Sequence, residues 1–168
     1  MNQQLLNVVE SLDKVSGETK QMIYDMANSM NELEIIHSFN QQAHDLFTMM
    51  YNITKKIGQE KKYNVVGYKT IFENALKINA KLPIDKFTLL ILEFASDIYE
   101  ENEDCFLNMS LEDTKINVGN EFSIIRSEMF KNLWAVLDQA NKNLLKEKII
   151  LLTTYAHAYL YKIILGQK

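Results

Sequence analysis

Glu34-Ile35-Ile36-His37 sets a carboxylate and an imidazole three residues apart. On a helix that spacing puts both on one face, and it is the spacing at which di-iron bundles hold their metal. Such a centre needs further carboxylates from facing helices. Glu10, Glu73, Glu121, Glu128 and Glu147 are available, but none belongs to a second Glu-x-x-His. His37 and His44 stand two turns apart on roughly one face, too far for both to chelate one ion. Surface histidines and no metal are therefore expected. Cys105 is the lone cysteine, so it forms no intramolecular disulfide and suits a reducing compartment. It follows an acidic run, which raises a thiol pKa and blunts the nucleophile. The chain has no glycine-rich phosphate loop, no Gly-x-Ser-x-Gly and no zinc-ligand spacing. These absences lead to the expectation of a non-enzyme without a cofactor.

Charge is distributed unevenly. The net value is −5 over residues 1–54, +5 over 55–86, −8 over 87–113 with no base at all, and +4 over 114–168. Within the acidic block Glu93, Asp97, Glu100 or Glu101, and Asp104 recur at steps of three and four. Like charges at that spacing repel by a few tenths of a kcal/mol per pair, roughly, so the stripe is a candidate surface for a basic protein partner. No calcium-loop pattern with a central glycine accompanies it. The opposite sign is concentrated at Lys55, Lys56, Lys61 and Lys62, the residues a nucleic-acid-binding accessory protein would use. Seventeen lysines stand against one arginine, Arg126, and the total is −4. Arginine supplies the bidentate phosphate and guanine contacts, so the balance argues against nucleic acid.

The elements that must carry these residues are helices. One proline and five glycines in 168 residues leave little punctuation, and 47% hydrophobic with 24% charged residues describes an ordinary globular chain. The length suits one domain over 1–168. A short first helix is read at about 2–14, ended by Ser16-Gly17 with the glycine as a left-handed cap. A second runs from about Glu18 to Asn31, with Met22, Ile23, Met26 and Met30 at helical spacing. A third covers about 32–57, with Leu33, Ile36, Phe39, Ala43, Leu46, Phe47, Met50, Ile53 and Ile57 as one apolar face. The pattern leaves open whether these two are one helix kinked near Met30.

Residues 58–67, GQEKKYNVVG, read as a loop, followed by a helix over about 68–81. Pro83 marks the next start, since proline fits the first turn of a helix. The helix from Ile84 buries Phe87, Ile91, Phe94 and Ile98, and 110–118 form a second loop. Another helix covers about 119–137, with Phe122, Ile125, Met129, Leu133 and Val136 as its buried stripe.

Asp138 then offers an N-cap oxygen to a last helix from Gln139 to about Leu165. Trp134, the single tryptophan, lies one turn before this joint and off the stripe. Its ring is expected to plug the corner between two antiparallel helices; an exposed pair with Phe130 is the rival placement. The last helix is apolar nearly all round. Leu145, Ile149, Leu152, Ala156, Tyr159 and Ile163 form one seam, and Ile150, Leu151, Ala158, Tyr161 and Leu165 lie on the other sides. Such a helix is the centre of a bundle, a homodimer seam or a membrane span. The 17 residues 149–165 are short for a span and include Thr153, Thr154, His157 and Lys162. The N-terminus carries no secretory signal pattern. An intracellular location follows, the host cytoplasm or the virion if the chain is viral.

The Lys-, Asn- and Ile-rich, Arg-poor, wholly helical texture resembles the uncharacterised helical proteins of large AT-rich double-stranded DNA viruses. In size and helix count the chain is also similar to viral apoptosis-regulator bundles, whose groove takes a partner's amphipathic helix. "NLWAV" at 132–136 lacks the Gly-Arg of that family's Asn-Trp-Gly-Arg turn. The expected fold is all-α, an irregular bundle of six or seven helices around a buried C-terminal helix. The expected role is a protein–protein interaction or structural one, with a possible second copy against the last helix.

Overall fold

Ser16 and Gly17 open a helix where the sequence pattern has them closing one. In the computed structural model, which describes residues 16–58, 65–85, 99 and 133–166, Ser16 is extended and its Oγ accepts a hydrogen bond from the Thr19 amide at 3.2 Å. Serine at an N-cap satisfies one of the four amides that a helix start leaves without partners, and that capping chemistry outweighs the glycine cue. Helix α1 (Gly17–Ser29) then buries Ile23 and Ala27, while Met22 remains 46% exposed. The helix predicted over 2–14 lies outside the described residues.

The question of a kink near Met30 resolves as a full break. Met30 is extended, and α2 (Glu32–Lys56) begins afresh behind Asn31. Asn31 Oδ1 accepts from the Glu34 amide at 2.8 Å, and Glu34 Oε1 accepts from the Asn31 amide at 3.1 Å. This reciprocal capping box satisfies two amides and ends any continuity with α1. The apolar face of α2 is buried where its spacing predicts at Ile36, Phe39, Ala43, Leu46, Phe47, Met50 and Ile53; Ile35 joins it from outside the predicted stripe, and Ile57, at the end of the helix, is 46% exposed. Leu33 departs from it at 75% exposure, since it sits in the first turn beyond the reach of the neighbouring helices. Gly58 closes α2 with φ +69°, the left-handed geometry that a side chain would strain.

The loop expected over 58–67 is shorter than that. Helix α3 (Val65–Ile78) already includes Val65, Val66 and Gly67. A glycine inside a helix costs about 1 kcal/mol relative to alanine, and packing supplies more than that. Phe72 is fully buried, with its ring 5.2 Å from that of Phe47, and Ala75 lies beside it in the core. Asn40 Nδ2 donates to the Ala80 carbonyl at 2.9 Å and Lys81 pairs with Glu32 at 2.9 Å, so the end of α3 is tied to the start of α2. A single helical turn at 82–85 follows, with Pro83 and Ile84 buried in it.

Helix α4 (Gln139–Gly166) packs on α1 and α2. Leu145, Ile149, Leu152, Ala156 and Tyr159 are buried as the seam requires, and Ala158 joins them from another side. Tyr24 and Tyr161 stack obliquely at 4.8 Å, and Lys162 Nζ donates to the Ala27 carbonyl at 2.9 Å near the end of α1, where a cation offsets the helix dipole. Thr153, Thr154 and His157, which broke the apolar pattern in sequence, are all buried. The two threonines manage this by donating to carbonyls one turn back, Ile149 and Ile150, at 2.7 and 2.9 Å. The fold is all-α: among the described residues every regular element is helical, and no described helix is long and apolar enough to cross a membrane.

Candidate functional site

The Glu-x-x-His spacing serves the start of α2. Glu34 is committed to the capping box, and both His37 and His44 are exposed on the outer face of α2. Glu73 forms a 4.0 Å pair with Lys69, and Glu147 is exposed on α4. Glu10, Glu121 and Glu128 lie outside the described residues. Among the described residues no three His, Cys, Asp or Glu side chains are grouped as metal ligands.

The buried histidine is His157, which sequence reading treated only as an interruption. It is 0% exposed, stacks on the Tyr99 ring at 5.8 Å with planes 12° apart, and shares a 3.2 Å hydrogen bond between Nδ1 and the Tyr99 hydroxyl. That hydroxyl also stands 3.5 Å from Thr154 Oγ1. Burial lowers the His157 pKa from 6.5 to about 4, so the ring is neutral at physiological pH. Burial likewise raises Tyr99 above the usual phenol value. Two residues on from His157, Tyr159 donates to Asp85 Oδ1 at 2.8 Å; burial and that bond push its pKa upward. Buried groups that are hydrogen-bonded to one another in this way help to specify packing.

The open feature is the joint around Trp134. A helical turn at 133–136 ends as the Leu137 amide donates to the Trp134 carbonyl at 3.2 Å. Asp138 then caps α4, its Oδ1 accepting from the Asn141 amide at 2.8 Å, as the sequence predicts. Trp134 is 2% exposed, which places it in the corner and not in a surface pair. Lys142 and Lys146 carry their ammonium groups 5.7 and 5.9 Å from its ring centre, so the indole supports the first turns of α4 by cation–π contact as well as by area. The predicted stripe is out of phase here: Leu133 is buried, but Val136 is 57% exposed and Leu137 is buried in its place. The turn stops at 136, so the periodicity that would have carried Val136 inward ends before it acts.

Val136 faces a cleft of about 540 Å³ between this joint and the second half of α2. Asp45, Thr48, Met49 and Asn52 line one wall, continued by Ile53, Lys56 and Ile57 toward the end of α2. Val136, Leu137, Asp138 and Asn141 form the other. The size falls within the roughly 300–1,000 Å³ typical of binding clefts. Its polar groups are unevenly engaged. Lys148 donates to Gln42 at 2.7 Å and lies 3.9 Å from Asp45, while Thr48 Oγ1 is buried with no hydrogen-bond partner among the described residues. Ile57 is 46% exposed at the rim.

Of the residues proposed from sequence as a nucleic-acid surface, Lys56 lines this cleft and Lys55 lies over the Tyr51 ring at 5.9 Å. Lys61 and Lys62 lie outside the described residues, as do all five members of the acidic stripe, Glu93, Asp97, Glu100, Glu101 and Asp104. Sequence reading identified the joint but not the cleft. Thr48, Met49 and Asn52 carry no signal of their own, because only the approach of residues from ninety positions further along makes them a wall.

Among the described residues the geometry defines a helical bundle with buried, hydrogen-bonded polar side chains and a groove at one joint. The chain is 56% identical over 163 residues to the "Uncharacterized protein R465" of Acanthamoeba polyphaga mimivirus, a match that spans 97% of this chain and 91% of that protein. It belongs to the family of that protein from a large double-stranded DNA virus, the source class its composition resembles. No protein-family model matches the chain, and no solved structure matches it significantly.

Proposed function

We propose that this is a non-enzymatic viral protein that works by binding another protein through its helical surfaces, as a virion component or as a factor engaging the host. The observation that supports the reading most directly is the joint cleft, where Ile57 and Val136 leave apolar surface bare beside a buried, unpartnered Thr48 hydroxyl. Half-buried apolar side chains gathered around a concave surface favour a macromolecular partner. The relative's viral source supports a place inside the infected cell or the virion.

Two surfaces compete for the contact in this reading: the cleft, and the acidic stripe Glu93–Asp104 with a basic partner. A second copy of the chain along α4 is a further form of the same role. Partner recovery on immobilised protein tests it. A protein held in stoichiometric amount, and lost either on neutralising the stripe or on Val136→Asp, is the expected result. Protein that retains bound iron, manganese or nucleic acid and no polypeptide would overturn it.

A further inference from the structure

Helix α3 is apolar on more than one side, and the bundle uses one of them. It lies against α2 on the side of Phe72, Ala75 and Leu76. On a second side Gly67, Ile71, Asn74 and Ile78 follow one another at steps of four, three and four, which places them within an arc of roughly 60°. Ile71 and Ile78 are both exposed there, Ile78 at 78%. The row beside it, Val66, Thr70 and Lys77, is exposed as well. The Thr70 hydroxyl is satisfied within the helix, donating to the Val66 carbonyl at 2.9 Å. Charge on these two rows has one sign. Neither contains a carboxylate, and Lys77 has none within ion-pair distance among the described residues. Glu73, the one carboxylate of α3, lies on another side and pairs with Lys69 at 4.0 Å; past the helix, Lys81 is held by Glu32 at 2.9 Å.

From this we infer that a helix of a partner protein packs lengthwise along α3. Bulky Ile71 and Ile78 alternate with small Gly67 and Asn74 at the steps of a two-helix seam, in which side chains of one helix enter the gaps of the other. The partner helix therefore carries its own apolar residues at steps of three and four, a polar side chain opposite Asn74, and carboxylates on the border that faces Lys77. The inference rests on the interaction role proposed above and gives it a surface distinct from the joint cleft. A second copy fits less well, because an α3–α3 pair brings a lysine and no carboxylate to that border. Nucleic acid and anionic lipid are held by several cations at once, and these two rows offer one.

Fluorescence anisotropy on the full chain tests this with three labelled peptides of roughly four helical turns, the length of α3. One carries leucines at steps of three and four with glutamates along the borders. The second keeps that seam with lysines on the borders, and the third keeps the glutamates with the leucines scrambled. The first is expected to bind at least about tenfold more tightly than either of the others. Ile78→Asp, at an exposed position on the last residue of α3, should abolish that preference, and Lys77→Glu should shift it toward the lysine peptide. Val136→Asp, at the joint cleft, should leave it unchanged. Equal binding of all three peptides, no binding of any, or a preference that survives Ile78→Asp would overturn the inference.

A dimer of the chain alone, seen by sedimentation and dissolved by Ile78→Asp, would assign the face to a second copy and overturn it too. So would salt-sensitive binding of a single-stranded oligonucleotide, or of phosphatidylserine vesicles, that is lost on Lys77→Glu. A protein recovered on the full chain that is lost on Val136→Asp but ignores Ile78→Asp would remove this inference and leave the interaction role standing.

Discussion

His157 makes the fold sensitive to acid in a calculable way. In the folded protein its ring is enclosed, stacked on Tyr99 and held near pKa 4, whereas in the unfolded chain it titrates near 6.5. A neutral buried histidine must gain its proton on unfolding, so between these two values the unfolded state binds more protons and stability rises with pH. The contribution is flat above about pH 6.5, is lost as the pH falls through the window, and is fully lost below about pH 4. The 2.5-unit difference between 6.5 and about 4 corresponds to roughly 3 kcal/mol at the acid limit, and to about 2 kcal/mol between pH 7.5 and pH 5.

Urea unfolding followed by Trp134 fluorescence at several pH values measures this, with His157→Gln as the comparison. Glutamine keeps a hydrogen-bonding side chain of similar length without a proton to gain in this range. Carboxylates common to both proteins cancel in the difference, so the wild type should lose about 2 kcal/mol more than the variant by pH 5. Parallel pH profiles would refute the reasoning, and would mean that the ring is protonated in place or that water reaches it.

Trp134→Ala should cost about 3–5 kcal/mol, measured by urea unfolding and far-ultraviolet circular dichroism, because it empties the corner on which α4 is seated. A cost under about 1 kcal/mol would show the indole to be a surface group. Asn31→Ala removes one half of the capping box at the start of α2 and should cost about 1 kcal/mol, or a fall of roughly 2–4 °C in Tm. An unchanged Tm would mean that the α1–α2 break is held by packing alone.

Local sequence determined what depends on neighbours along the chain. The apolar faces of α2 and α4 recur at helical steps, and Asp138 caps the last helix because its oxygen needs only an amide three residues away. The acid-and-histidine spacing at Glu34 and His37 was equally plain, but its meaning was not. A glutamate three residues after an asparagine is a cap or a ligand according to what faces it, and among the described residues Glu34 is engaged with the backbone of Asn31.

What tertiary structure decided is which side chains of a helix meet a neighbour. Leu33 and Val136 share the hydrophobicity of their stripes yet remain exposed, since one lies beyond the bundle and the other at the end of a turn. His157, Thr153 and Thr154 read as breaks in an apolar run and are enclosed, because each finds a hydrogen bond inside: the threonines from their own backbone, the histidine from Tyr99, 58 residues away. The cleft belongs wholly to this second class. Burial and concavity are properties of surfaces that meet, and the α2 and joint walls are brought together only by packing.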